Sequence, residues 1–255
     1  MKILLLNPNT TTEVTDLLHD AGARAASAGT ELVAMTAKRG VPYIATRAEA
    51  QIGGAIALEM LAEAGSSIDA AIIAAFGDPG LFGARELFAF PVVGLAEAAM
   101  LTACMVGQKF SIVTFATALA PWYAECVAMH GLDARCAGIR TLDGGFRSIL
   151  DVQAEKEDML VALANRAVEE DGADVVILSG APLAGLAAKV GDRIPVPVID
   201  PVAAAVRQAE TLAVLKPCKA ISGTFRRPDP KATTGLPEAL AAVIEHRRPD
   251  EGGAT

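Results

Sequence analysis

Histidine and cysteine are scarce in this 255-residue chain, and neither falls into a metal-binding pattern. The three histidines, His19, His130 and His246, form no H-x-x-x-H or H-x-E arrangement, so no catalytic ligand set is visible. Cys104, Cys126, Cys136 and Cys218 form no C-x-x-C pair, which excludes a zinc ribbon and a disulfide framework and predicts four reduced thiols. Basic residues are outnumbered, 22 Lys plus Arg against 30 Asp plus Glu, for a net charge of -8 with no dense basic run. Nucleic acid is therefore excluded as an expected partner. Long apolar runs are also missing: the stretches at 69–76 and 173–178 fall short of the roughly 20 residues a spanning helix needs. No membrane partner is expected. The opening MKILLLNPNT turns polar after six residues and offers no small-residue cleavage site, which predicts a cytoplasmic protein.

What the chain does have is apolar mass, 52% of residues, enough for one large domain or two small ones. Short runs rich in Val, Ile and Leu alternate with longer Ala-rich segments of helical character. That alternation predicts an α/β fold with parallel strands buried on both faces. Strands are predicted at 2–6, 31–35, 70–75, 92–94, 110–114, 138–142, 175–179 and 196–199. They divide into two sets of four. KILLLN at 2–7 aligns with KFSIVT at 109–114 at an offset of 107; DAAIIAA at 69–75 aligns with DVVILSG at 174–180 at 105; PVV at 91–93 aligns with PVI at 197–199 at 106. Uniform offsets predict two pseudo-symmetric lobes, each a four-stranded parallel sheet flanked by helices, with the active-site cleft between them. The boundaries expected are 1–97 plus about 208–255 for lobe one and 98–207 for lobe two, with a disordered tail at 247–255. The high apolar share predicts a homo-oligomer.

Ligands of open parallel sheets sit beyond the carboxyl ends of the strands, so the loops at 7–10, 75–80, 114–117 and 179–182 are expected to carry the chemistry. Thr10 and Glu13 have capping-box spacing. Asn9 is expected to face substrate, with Asn7 bracing the loop. The backbone N–H groups of Phe76, Gly77 and Ala181 are predicted to bind an anionic or carbonyl oxygen. Asp78, in a G-D-P-G turn, is either a base or a cap of the helix that follows at 81–88. Ser179 is a nucleophile only if a base lies beside it; otherwise its hydroxyl bonds backbone or substrate. Thr114 and Thr117 suit a polar ligand, Tyr43 and Ile44 form a rim, and Trp122 and Tyr123 either face the cleft or pack their helix. Glu97 and Asp200 are caps or participants.

NPNT at 7–10, FGDPGL at 76–81, VGLAEAAM at 93–100, GAPLAGLA at 180–187 and PVIDPVAAAV at 197–206 together resemble the Asp/Glu/hydantoin racemase superfamily, nearest its hydantoin and allantoin racemase branch. The resemblance covers nearly the whole chain. It implies two α/β lobes around a central site, no cofactor, and two thiols that move a proton on and off the substrate's α-carbon from opposite faces. A thiol suits that work because its pKa of about 8.5 is readily lowered. The positions of those thiols fall on Ala75 and Gly180, which pair with each other in the internal repeat. Neither residue exchanges a proton.

The expected function is a cofactor-independent, isomerase-like enzyme using non-cysteine chemistry beside a carbonyl of a small hydantoin-like or amino-acid-derived substrate. Asp78 and Ser179 are its nearest catalytic candidates. Substrate binding is assigned to Asn9, Tyr43, Phe76, Gly77, Thr114, Thr117, Gly180 and Ala181. The alternatives are a cofactor-free decarboxylase, lyase or hydrolase of a related carboxylate or cyclic amide, and a non-catalytic ligand-binding homologue.

Overall fold

A computed structural model describes residues 1–143, 145 and 147–247. The expected tail at 247–255 lies outside the described residues except for Arg247, which pairs with Glu238 and Glu245. The order is β1 (Lys2–Asn7), α1 (Thr12–Ala25), β2 (Glu31–Thr36), α2 (Arg47–Ala64), β3 (Ala70–Ile73), α3 (Leu81–Leu87), β4 (Val92–Gly94) and α4 (Leu95–Val106). Then follow β5 (Phe110–Thr114), α5 (Ala120–Met129), β6 (Cys136–Thr141), α6 (Val152–Asp171), β7 (Val175–Leu178), α7 (Leu186–Val190), β8 (Val198–Ile199), α8 (Pro201–Leu215) and α9 (Glu238–Ile244).

Two parallel sheets result, ordered β2-β1-β3-β4 and β6-β5-β7-β8. The central strands β1, β3, β5 and β7 are almost wholly buried, as strands covered by helices on both faces must be, while β2 and β6 at the edges are half-buried. The repeat is present in the register itself. Ile3 pairs with Ala70 in one sheet and Phe110 with Val175 in the other, the same positions aligned by offsets of 107 and 105.

The helices that follow the fourth strands cross between lobes. Ala96, Ala99, Met100 and Ala103 of α4 share a core with Phe110, Ile112 and Val175 of the second sheet. Val202, Val206 and Ala209 of α8 share a core with Ile3, Leu5 and Ile72 of the first. Each lobe is thus closed by a helix whose preceding strand belongs to the other.

Two local expectations are corrected. Helix α1 begins at Thr12 with Thr11 as N-cap and no side-chain cap bond, so Thr10 and Glu13 form no capping box. Thr11 Oγ1 instead donates to the Pro42 carbonyl, tying the loop after β1 to the loop after β2. The capping box is at Thr46 and Glu49, opening α2. Asp78 does not cap α3, whose N-cap is Gly80; its carboxylate serves a different helix.

Candidate active site

A cavity of about 310 Å³ lies where the carboxyl ends of the two sheets face each other. The loop after β1 contributes Asn9 from a rigid base. Asn7 Nδ2 donates to Asn9 Oδ1, the Thr11 carbonyl and Thr15 Oγ1, and Asn7 Oδ1 accepts from Asn9 N–H. Asn7 therefore braces the loop, and Asn9 lines the cavity. Tyr43, Ile44 and Ala45 close one side from the β2–α2 connection.

Beyond β3, Ala75 and Phe76 line the cavity; beyond β7, Gly180, Ala181 and Pro182 do. No hydrogen bond among the described residues takes up the N–H groups of Phe76, Gly180 or Ala181. These donors stand ready for a carboxylate or carbonyl oxygen of a ligand. Phe115, Thr117, Leu119, Trp122 and Tyr123 form the wall from lobe two, with the Phe76 and Tyr123 ring centroids 4.7 Å apart. Among the described lining residues none is acidic, basic, histidine or cysteine. The ionisable groups are the phenols of Tyr43 and Tyr123. Burial pushes the Tyr123 phenol well above its ordinary range, against the neighbouring Thr114 hydroxyl, which favours the ionised form.

Four residues assigned to the site from sequence stand away from this lining. Gly77 (φ 107°) and Asp78 (φ 52°) reverse the chain, so both face a second hollow, of about 550 Å³, between α2 and α5. A Cβ at Gly77 would lie 2.3 Å from Trp122 Cζ2; glycine lets the indole pack against the backbone. Ser179 is buried, its hydroxyl donating to the Val113 carbonyl at 3.2 Å, with no hydrogen bond to a base among the described residues. Thr114 donates to the Ser179 carbonyl at 3.0 Å. Both hydroxyls stitch β5 to the end of β7 instead of lining the cavity. Thr117 does line it, and also contacts Thr141, the Leu142 carbonyl and Asp143.

Asp78 is the centre of a buried charged network that sequence reading missed. Its two oxygens accept the N–H groups of Ala96 and Glu97, each at 2.8 Å, capping the first turn of α4. His130, at the end of α5, places Nε2 3.2 Å from Asp78 and Nδ1 3.5 Å from Glu97. Glu97 is also held bidentately by Arg85. Burial opposes charge on His130, yet the two carboxylates outweigh it and raise the imidazole to about 9. Glu97 is likewise opposed by burial, but His130 and Arg85 hold it at about 2. The 52-position separation of Asp78 and His130 left no pattern in the sequence. Asp200 is an N-cap, accepting from Val202 and Ala203 and also from Gly185.

Asp78, Cys126 and His130 bring ligand-type atoms within 4.8 Å of one another. Their chemistry does not fit a resident metal: Asp78 is filled by N–H donors, His130 is held as a cation, and burial raises the Cys126 thiol far above its ordinary value. None of Cys104, Cys126, Cys136 or Cys218 lines the cavity between the two sheets.

The family model described as "Asp/Glu/Hydantoin racemase" matches residues 3–209. The chain belongs to this family. It is 34% identical over 242 residues to a hydantoin racemase of Pseudomonas sp. (strain NS671), a match covering 93% of this chain and 96% of that protein. Among solved structures it resembles allantoin racemase from Klebsiella pneumoniae, with a TM-score of 0.88, 33% identity, and coverage of 94% of this chain and 98% of the other. Allantoin racemase from Pseudomonas fluorescens gives 0.86 and 32%, covering 92% of this chain and 100% of that one. Within the racemase family frame, the cavity occupies the cleft between lobes. No helix among the described residues is long and apolar enough to cross a membrane.

Proposed function

We propose that this racemase-family chain is a cofactor-independent enzyme that forms and quenches a carbanion beside the carbonyl of a small hydantoin-like or amino-acid-derived substrate, using non-cysteine chemistry. The observation that carries this reading is the cavity wall itself. Unengaged N–H groups from both lobes suit the oxygen on which carbanion charge collects, while the two positions to which the resemblance assigns thiols, Ala75 and Gly180, both line the same space. The absence of charged side chains among the described lining residues favours a neutral cyclic amide with an apolar substituent. The side-chain carboxylate of aspartate or glutamate would meet no counter-charge there.

A second reading, a cofactor-free decarboxylase, rests on the same wall: among the described lining residues no carboxylate, imidazole or thiol stands to remove a proton, loss of CO2 requires none, and a carboxylate without counter-charge is the more readily lost. A hydrolase would need Asp78 to activate water, and its oxygens are already occupied. We also propose a homo-oligomer, consistent with the high apolar share.

Proton NMR in D2O tests the reading on 5-substituted hydantoins, allantoin, aspartate, glutamate and arylmalonate. Enzyme-dependent α-proton exchange, or decarboxylated product, is expected with at least one hydantoin or malonate. No exchange and no product, with a ligand that nonetheless binds, would make the chain a non-catalytic binding homologue.

A further inference from the structure

The chain has two tyrosines, and both line the cavity, Tyr43 from lobe one and Tyr123 from lobe two. Their settings differ. Tyr43 is 41% exposed at the mouth, whereas Tyr123 is buried between Phe76 and Trp122, with Thr114 beside its hydroxyl. Thr114 Oγ1 spends its one hydrogen on the Ser179 carbonyl, which leaves the Tyr123 phenol its own hydrogen for the cavity. That pair sits beside position 180. A Cβ built on Gly180 would be 3.7 Å from Thr114 Oγ1. The hydroxyls therefore lie at the edge of the space in which the resemblance puts the lobe-two thiol.

We propose that the Tyr123 hydroxyl, beside Thr114, is the proton donor of this site and delivers from the lobe-two face alone. The inference rests on the proposed function and deepens it by naming the proton carrier and the stereochemical course. In the step, the electron pair on the substrate's α-carbon takes the phenolic proton: the O–H bond breaks, the C–H bond forms, and a tyrosinate remains. Thr114 can then turn its hydrogen from the Ser179 carbonyl to the tyrosinate oxygen. Water in the cavity returns the proton to Tyr123 and leaves as hydroxide. In reverse, the tyrosinate removes the proton it delivered, from the same face. Position 75 on the lobe-one side is alanine and supplies no second donor, and the other phenol, Tyr43, stands out at the mouth. Exchange therefore preserves configuration, and a prochiral malonate yields one enantiomer.

Trp122, the single tryptophan, lies in the cavity wall, so its fluorescence reports ligand binding without turnover. The experiment follows deuterium incorporation and enantiomeric excess in D2O for wild type, Tyr123→Phe, Tyr43→Phe, Thr114→Val and Thr114→Ser, using the hydantoin and arylmalonate panel, with Trp122 titrations alongside. Wild type is expected to incorporate deuterium with configuration retained, or to give a single product enantiomer. Tyr123→Phe should bind ligand normally and lose roughly 100-fold or more in rate, and Thr114→Val about tenfold, with Thr114→Ser restoring it. A racemic product, or Tyr123→Phe within about threefold of wild type, would overturn the donor assignment while leaving the proposed function intact. A wild-type protein that transforms no substrate sinks the proposed function, and the donor with it.

Discussion

The Phe115 ring fills the space that a side chain at Gly180 would need: a Cβ built on Gly180 lies 2.6 Å from Phe115 Cε1, and the backbone there has φ of 113°. Position 180 is therefore closed twice, by backbone conformation and by a neighbour. Gly180→Ala is expected to lower the unfolding free energy by about 2–4 kcal/mol, from strain and overpacking together, measured by urea denaturation. Adding Phe115→Leu should recover about 1 kcal/mol of it, the part due to the ring. Equal losses with and without the second change would mean that the clash contributes nothing.

Ala75 is a different case, since it lines the cavity with an ordinary side chain already in place. Ala75→Cys should fold normally and add a proton carrier from lobe one. Racemisation of a 5-substituted hydantoin, followed by polarimetry, is expected to appear where wild type, delivering from one face, gives none. An unchanged rate would show that the reacting carbon does not pass near residue 75.

Asp78 holds α4 to the turn after β3, so its removal should be felt as stability. Asp78→Ala leaves two N–H groups of a buried helix start without their partner and His130 without one counter-charge; a loss of about 3 kcal/mol is expected in chemical denaturation. A double-mutant cycle with His130→Gln should show coupling between the two. Strict additivity would remove the claim that they act as one unit.

The same network sets a stability window in pH. His130 is raised in the folded state from 6.5 to about 9, so its contribution is complete below 6.5 and fades as pH climbs through 9. Glu97 is depressed from 4.5 to about 2, so its contribution is complete above 4.5 and fades as pH falls toward 2. Thermal midpoints should be highest between these limits. His130→Gln should flatten the alkaline limb; a limb that keeps its full slope would mean another group titrates there.

The fold was legible because buried parallel strands leave dense apolar runs, and the repeat offsets recur in the register of Ile3 with Ala70 and of Phe110 with Val175. Strand ends were less so. Apolar residues continue past Ile73 into Ala74 and Ala75, so composition extends β3 where the ladder has already stopped. In the site, Asn9, Tyr43, Phe76, Thr117, Gly180 and Ala181 line the cavity, whereas Gly77, Asp78, Thr114 and Ser179 do not. The reason is local geometry: two successive positive-φ residues turn the chain after Phe76, and the Thr114 and Ser179 hydroxyls are spent on backbone carbonyls. Asp78 finds its partners 18 and 52 residues away, a separation that no spacing rule reaches.

The exchanged helices carry a historical implication. A half-length ancestor with this topology would have left one face of its sheet only partly covered and extended its last helix outward, a shape completed by a twin reciprocating the gesture. Joining two such chains end to end would give the framework through α8, with the segment carrying α9 added after it. Severing it between the lobes should accordingly give halves that solidify only on mixing, since each carries the lid of the other.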